Sequence, residues 1–209
     1  MRAGPTTRSS ALPTRERLVI AATELFWARG YNATSLADIC ARAESNPGSL
    51  YHFFTTKQDL LEAVLERLEE RIGPDLLEPA WDGVDDPIER VFALLGAYRR
   101  ALVATDFTYG CPIGGLALEL RDPPEEVRRR IAANFEAWRY AVLDCLEKAR
   151  ERFRAGTDLG RLATVVLTVM EGGVMQARTF RTVEPFDAGV GFLREHIETL
   201  ERTATQEGV

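Results

Sequence analysis

The sequence predicts an all-α protein on three observations. Apolar residues recur at helical spacing almost throughout the chain. No segment sustains the alternation of a strand flanked by hairpin turns. The breaks between periodic stretches carry helix punctuation, with Ser, Asn, Asp or Pro at the starts and Gly at the ends. About nine helices are expected, as an N-terminal three-helix helix-turn-helix domain followed by a larger helical domain. A chain of 209 residues, 45% hydrophobic, is enough for one or two domains with a sizeable core.

The first helix runs from about Thr14 to Arg29, with Leu18, Ala22, Leu25 and Phe26 facing the core and Gly30 closing it. In the second, Leu36, Ile39, Cys40 and Ala43 share a face, and Ser35 with Asp38 caps its start, a hydroxyl accepting an orphan N–H and a carboxylate favouring the positive helix end. The third begins at Pro47, whose missing N–H costs nothing at the first helical position, behind the N-cap Asn46; Leu50, Tyr51 and Phe54 resume the period. A fourth starts near Thr55 or Thr56, where Thr56 and Asp59 form a capping pair, and runs to about Ile72 before Gly73-Pro74 stops it. A linker rich in Asp, Gly and Pro is expected over 73–87, then helices at about 87–105, 112–120, 124–153, 158–180 and 187–203.

The second and third helices with their tight turn outline a helix-turn-helix, in which the second member enters the DNA major groove and the first crosses the backbone. Gly48 and Ser49 leave the start of that second member almost without side-chain bulk, which allows close approach to phosphates or base edges. Charge agrees with such a head. Through Lys57 the chain carries seven basic and four acidic residues, net +3, while the remainder is −9 and the whole is −6.

Other classes find little support. The residues before Thr14 are rich in Arg, Ser, Thr and Pro without an apolar core, which reads as a disordered basic tail rather than a signal peptide. No run has the length of a membrane span. Cys40, Cys111 and Cys145 are odd in number and widely spaced, so the setting expected is a reducing cytoplasm, with no metal site and no cofactor. There is no nucleophile elbow, His/carboxylate cluster or nucleotide fingerprint, and an enzyme is not expected.

Gly30-Tyr31, Thr34-Ser35, Ile39, Ala43, Gly48, Leu50-Tyr51, Phe54 and Lys57 through Leu60 resemble, in order and spacing, the N-terminal domain of the tetracycline-repressor (TetR) family of transcriptional regulators, over roughly residues 14–61. The chain departs from that pattern with Glu44 where the family usually turns on Gly, Ser45 where Val usually packs, Cys40 where Ala is common and Pro47 where many members carry Lys. A non-Gly residue in a left-handed turn costs on the order of 1 kcal/mol. The resemblance implies a tail over 1–13, a DNA-binding domain over 14–57 and an effector-binding and dimerisation domain over 58–209.

Candidate DNA-binding residues are Thr34, Ser35, Arg42, Asn46, Pro47, Gly48, Ser49, Tyr51, His52 and Lys57. Thr34 and Ser35 are cap-type residues at a helix N-terminus, itself an anion site. Lys57, a cation in the first turn of a helix, calls for a nearby anion, which the resemblance makes a phosphate; an ordinary solvated lysine is the alternative. Tyr51 offers a ring to the core and a hydroxyl to the DNA backbone, and His52 is equally compatible with DNA contact and with solvent. Direct readout falls to Asn46 through Ser49, unless Asn46 is consumed as a cap.

One recognition helix reads few base pairs, so a homodimer on a palindromic operator is expected, with half-sites about 34 to 36 Å apart. Candidate interface residues on the last two long helices are Leu162, Val166, Val169, Gly172, Gly173, Phe192, Leu193 and Ile197, with the monomer's own core as the alternative. For the effector pocket that the resemblance implies, Phe92, Tyr98, Phe107, Cys111, Phe135, Trp138 and Met175 are candidates and suggest an apolar or aromatic small molecule; Tyr109 is of the same kind, and simple core is again the alternative. Cys111 reads as a buried thiol or a redox sensor. The expected function is a DNA-binding transcriptional repressor released by a small-molecule effector; an activator or dual regulator of the same fold, or a helical small-molecule binder without DNA binding, would use the same residues.

Overall fold

The computed structural model describes residues 12–201, and the tail expected over residues 1–13 lies outside them but for Leu12 and Pro13. The described chain is helical: α1 (Thr14–Arg29), α2 (Leu36–Arg42), α3 (Pro47–Phe53), α4 (Lys57–Ile72), α5 (Glu78–Trp81), α6 (Pro87–Ala104), α7 (Pro112–Glu119), α8 (Glu125–Lys148), α9 (Leu159–Phe180) and α10 (Glu184–Leu200). Among the described residues the extended pairing is an isolated bridge between Phe153 and Glu201. No helix of the described residues is long and apolar enough to cross a membrane.

The residues divide into two compact units. The first joins residues up to 71 with 108–135, and the second joins 72–107 with residues from 136 onward. These packing units differ from the segmentation into 14–57 and 58–209, because 108–135 folds with the N-terminal helices.

In the first unit α1 packs on α2, α3 and α7. Leu18, Ala22, Leu25 and Phe26 of α1 are buried as their spacing requires, together with Ile39, Cys40, Ala43, Leu50, Phe54 and the α4 residues Leu60, Leu61, Val64 and Leu65. The caps follow the sequence. Asp38 N–H donates to Ser35 Oγ at 3.1 Å while Ser35 N–H donates to Asp38 Oδ2 at 3.0 Å, a reciprocal capping box. Ser49 N–H donates to Asn46 Oδ1 at 2.8 Å ahead of Pro47. Thr56 and Asp59 exchange the same pair of bonds.

Gly73-Pro74 does not stop the helix. The chain continues through a π-helical turn, Gly73–Leu77, into α5. A proline removes one i→i−4 bond and crowds the carbonyl four residues back, and a wider turn absorbs both effects. The expected linker thus shrinks to the turn after Trp81, and Leu76, Leu77, Ala80 and Trp81 pack on the core of the second unit. Trp81 Nε1–H donates to Arg90 O at 2.9 Å. Elsewhere α8 ends earlier than expected, in a 3₁₀ turn over Arg150–Arg152, and α10 starts earlier, with Pro185 in its first turn.

The second unit's core is made by α6, α8, α9 and α10, with Phe92, Leu95, Trp138, Leu146, Val166, Met170, Phe186, Leu193 and Ile197 among its buried residues. On its surface Arg99 forms a two-pronged pair with Asp187 at 2.7 and 2.8 Å. Arg194 pairs with Glu89 at 2.6 Å and lies 3.7 Å over the Phe92 ring.

Candidate nucleic-acid interface

Two apolar anchors, Leu50 and Phe54, hold α3 to the first unit's core, and this leaves Asn46, Pro47, Gly48, Tyr51, His52 and Phe53 exposed on its outer face, with Ser49 half-buried. Tyr51 is 58% exposed, so its ring is not core. The His52 and Phe53 rings meet edge to face at 4.8 Å. Phe53 is absent from the sequence-based set; it is an exposed aromatic at the end of α3, next to Tyr51 and His52 in the chain. Asn46 is consumed as the cap through Oδ1, and its amide nitrogen stays available.

The turn between α2 and α3 has the geometry that glycine favours although glycine is missing. Glu44 adopts φ 49°, and the turn closes through Ser45 N–H to Cys40 O at 2.9 Å. Arg17 donates to the Glu44 carbonyl at 3.4 Å. Ser45, in the position of a packing valine, has a buried hydroxyl without a hydrogen-bond partner among the described residues.

Thr34 is corrected. It is 1% exposed and its hydroxyl donates to Gly30 O at 2.8 Å, so its side chain braces the turn from inside. Ser35 is exposed but engaged with Asp38, whose carboxyl those serine hydrogen bonds hold below the usual range. Arg42 is exposed and pairs with Glu24 at 2.6 Å.

Lys57 is not an ordinary solvated lysine. Its Nζ donates to Tyr31 O at 2.5 Å and stands 4.2 Å from the Tyr31 ring centre. Burial lowers its pKa, an effect that the nearby Glu119 opposes. One anion near Lys57 is thus supplied by the protein itself. Glu119, the last residue of α7, accepts Tyr31 N–H at 2.8 Å and Asn32 N–H at 2.7 Å. Trp27 Nε1–H donates to Gly110 O at 2.8 Å and its ring packs on Tyr109. Asn134, buried, donates to Leu65 O at 3.0 Å. Residues 108–135 are thereby fastened to α1, to the turn that follows it and to α4 at three places.

The pocket candidates fall in both units. Phe92 and Trp138 are buried in the second unit and Phe107 is half-buried there; Trp138 Nε1–H donates to the Tyr98 hydroxyl at 3.2 Å. Cys111 and Phe135 belong instead to the first unit, where Cys111 caps α7, its Sγ accepting from Gly114 N–H at 3.5 Å. Met175, in the second unit, is half exposed on α9. A cleft of about 280 Å³ lies in the first unit, lined by Tyr31, Asn32, Gln58, Leu61, Glu119 through Pro124 and Val127, and none of the seven candidates lines it.

The interface candidates divide between the chain's own core and its surface. Leu162, Val166, Gly173, Leu193 and Ile197 are buried within the chain's own core, because α9 and α10 pack on each other through those faces; Val169 is half-buried against the same core. Gly172 and Phe192 stay accessible. The exposed large apolar residues of the two helices are Val165, Met175, Phe180 and Phe192, with Phe192 stacked on His196.

Residues 18–64 match the domain described as "Bacterial regulatory proteins, tetR family", and residues 87–192 match "Tetracyclin repressor-like, C-terminal domain". An uncharacterised HTH-type transcriptional regulator of Mycobacterium tuberculosis is 30% identical over 183 residues, covering 83% of this chain and 88% of its own length. The chain belongs to the TetR family. It is also 28% identical, over 84% of its length and 87% of the relative's, to the HTH-type transcriptional repressor DhaR of a Mycobacterium species. A TetR transcriptional regulator of Chloroflexus aurantiacus superposes with a TM-score of 0.76 at 29% identity, over 91% of this chain and 97% of the other. The regulatory protein TetR of Rhodobacter sphaeroides shares the TetR fold, with a TM-score of 0.78 at 23% identity over 88% and 98% of the two chains. As a TetR-family member the protein is a transcriptional regulator with a DNA-binding helix-turn-helix, not an enzyme.

Proposed function

We propose that the protein is a cytoplasmic, homodimeric repressor that binds a palindromic operator and is released by an apolar or aromatic small molecule. The observation that carries this reading is the outer face of α3: a capped helix, anchored by Leu50 and Phe54, presents Pro47, Gly48, Tyr51 and His52 without covering them. Pro47 and Gly48 bring the helix start close to base edges, Tyr51 and Lys57 meet phosphates, and Ser35 and Arg42 flank them.

A second copy docks on the exposed face of α9 and α10 around Val165, Gly172, Met175 and Phe192. The effector is held in the second unit near Phe92, Tyr98, Phe107 and Trp138, and it releases DNA by binding more tightly to the protomer spacing that does not fit successive major grooves. Repression is supported by the relative named a transcriptional repressor.

Selection of bound fragments from sheared genomic DNA, followed by footprinting, tests the reading. Two protected half-sites of dyad symmetry about one helical turn apart are expected. A screen for compounds that release the fragment, with reporter expression rising on their addition, tests repression. No enrichment of any fragment would overturn the DNA-binding reading, and falling reporter expression would make the protein an activator.

A further inference from the structure

We propose that Glu119 is a positioning residue for DNA binding, which acts on the phosphate-contacting Lys57 through the Tyr31–Asn32 peptide; this rests on the DNA-binding reading above. The carboxylate comes from the end of α7, 87 residues beyond Asn32 in the chain. Both of its oxygens are used, Oε2 on Tyr31 N–H at 2.8 Å and Oε1 on Asn32 N–H at 2.7 Å. Hydrogen bonds to an ionised acceptor are the stronger kind.

The local sequence is shaped for this contact. Gly30 adopts φ +88°, and a Cβ built on it would lie 2.7 Å from Glu119 Oε2, so any larger residue would push the carboxylate away. The Tyr31–Asn32 peptide then has a carboxylate on its N–H and an ammonium on its carbonyl, because Lys57 Nζ donates to Tyr31 O at 2.5 Å. A peptide held between opposite charges polarises both bonds. The Tyr31 ring, 4.2 Å from Nζ, closes a third side.

An ammonium carries three donors, and the one spent on Tyr31 leaves two for a phosphate. Glu119 therefore decides where the Lys57 charge stands when DNA arrives, without touching DNA itself. The cleft beside Tyr31, Asn32 and Glu119 gives the turn room to relax once the clamp is broken.

The test uses the full-length protein and a duplex that the wild type selects from sheared genomic DNA. Glu119→Gln, which keeps the shape but offers an amide in place of one carboxylate oxygen, is expected to weaken binding about tenfold, the size of one charge-assisted hydrogen bond. Glu119→Asp, shorter but still charged, recovers part of the loss. In a Lys57→Ala background the same Glu119→Gln change is expected to cost less than about twofold, because coupled residues are non-additive. Equal binding by wild type and Glu119→Gln overturns the proposal, and so does a full tenfold loss in the Lys57→Ala background, which marks a merely structural role. Failure of the wild type to select any DNA overturns the underlying reading instead. Amide hydrogen exchange on the wild-type protein needs no variant: slow exchange at Tyr31 and Asn32 is expected, and exchange there as fast as in an unstructured chain overturns the clamp.

Discussion

Gly173 of α9 meets Phe186 of α10 so closely that a Cβ built on the glycine would lie 2.9 Å from the ring and 3.2 Å from the Phe186 Cα. Gly172, its neighbour, would place a Cβ in open space. The two glycines thus serve different ends although they are adjacent in sequence. Gly173→Ala is expected to destabilise the protein by about 1–3 kcal/mol, the usual cost of overpacking. Gly172→Ala is expected to raise the stability of the single chain by up to about 1 kcal/mol through helix propensity. Chemical denaturation of both variants checks the contrast.

Phe192 is 68% exposed, and its replacement removes nothing from the chain's own core. Phe192→Glu is expected to leave the helical content unchanged and to shift sedimentation toward the monomer. A variant that sediments as the wild type does would take Phe192 out of the docking surface.

Glu44 holds a left-handed backbone at φ 49° in the helix-turn-helix turn. Glu44→Gly is expected to stabilise the protein by up to about 1 kcal/mol, the strain relief offset in part by the greater freedom of glycine in the unfolded chain. It also removes a negative charge beside the reading helix, so operator affinity rises, most visibly at low salt. Urea titration and binding at two salt concentrations separate the two effects.

Lys57→Ala is expected to weaken operator binding and to reduce the slope of log affinity against log salt by about 0.9 for each phosphate that the lysine no longer neutralises. Tyr51→Phe, which removes a hydroxyl without removing charge, weakens binding and leaves that slope unchanged. Salt titrations of both variants on the selected duplex make the measurement.

Much of the fold was legible because helix ends are written locally. Asn46-Pro47, Ser35 with Asp38, and Thr56 with Asp59 each mark a start through a bond that closes within three residues. Gly73-Pro74 misled because the damage a proline does depends on whether the turn can widen, and the apolar spacing of Leu76, Leu77, Ala80 and Trp81 was the better guide. Thr34 looked like a cap, but its acceptor is the Gly30 carbonyl four residues behind it. On α9 apolar residues occur on more than one face, so Val166 and Val165 look alike until α10 settles which is covered. Glu119 was invisible because its partners lie far away in the chain.

The discontinuity of the first unit bears on how the protein is made and re-engineered. A nascent chain released up to α4 still lacks the partners of Trp27, of the Tyr31 and Asn32 amides and of the Leu65 carbonyl, which arrive with Gly110, Glu119 and Asn134. The reading head is therefore completed only after synthesis has passed residue 134. A chimera that grafts the first four helices onto a foreign sensor must bring along the later segment as well, or rebuild its three attachments in the new host.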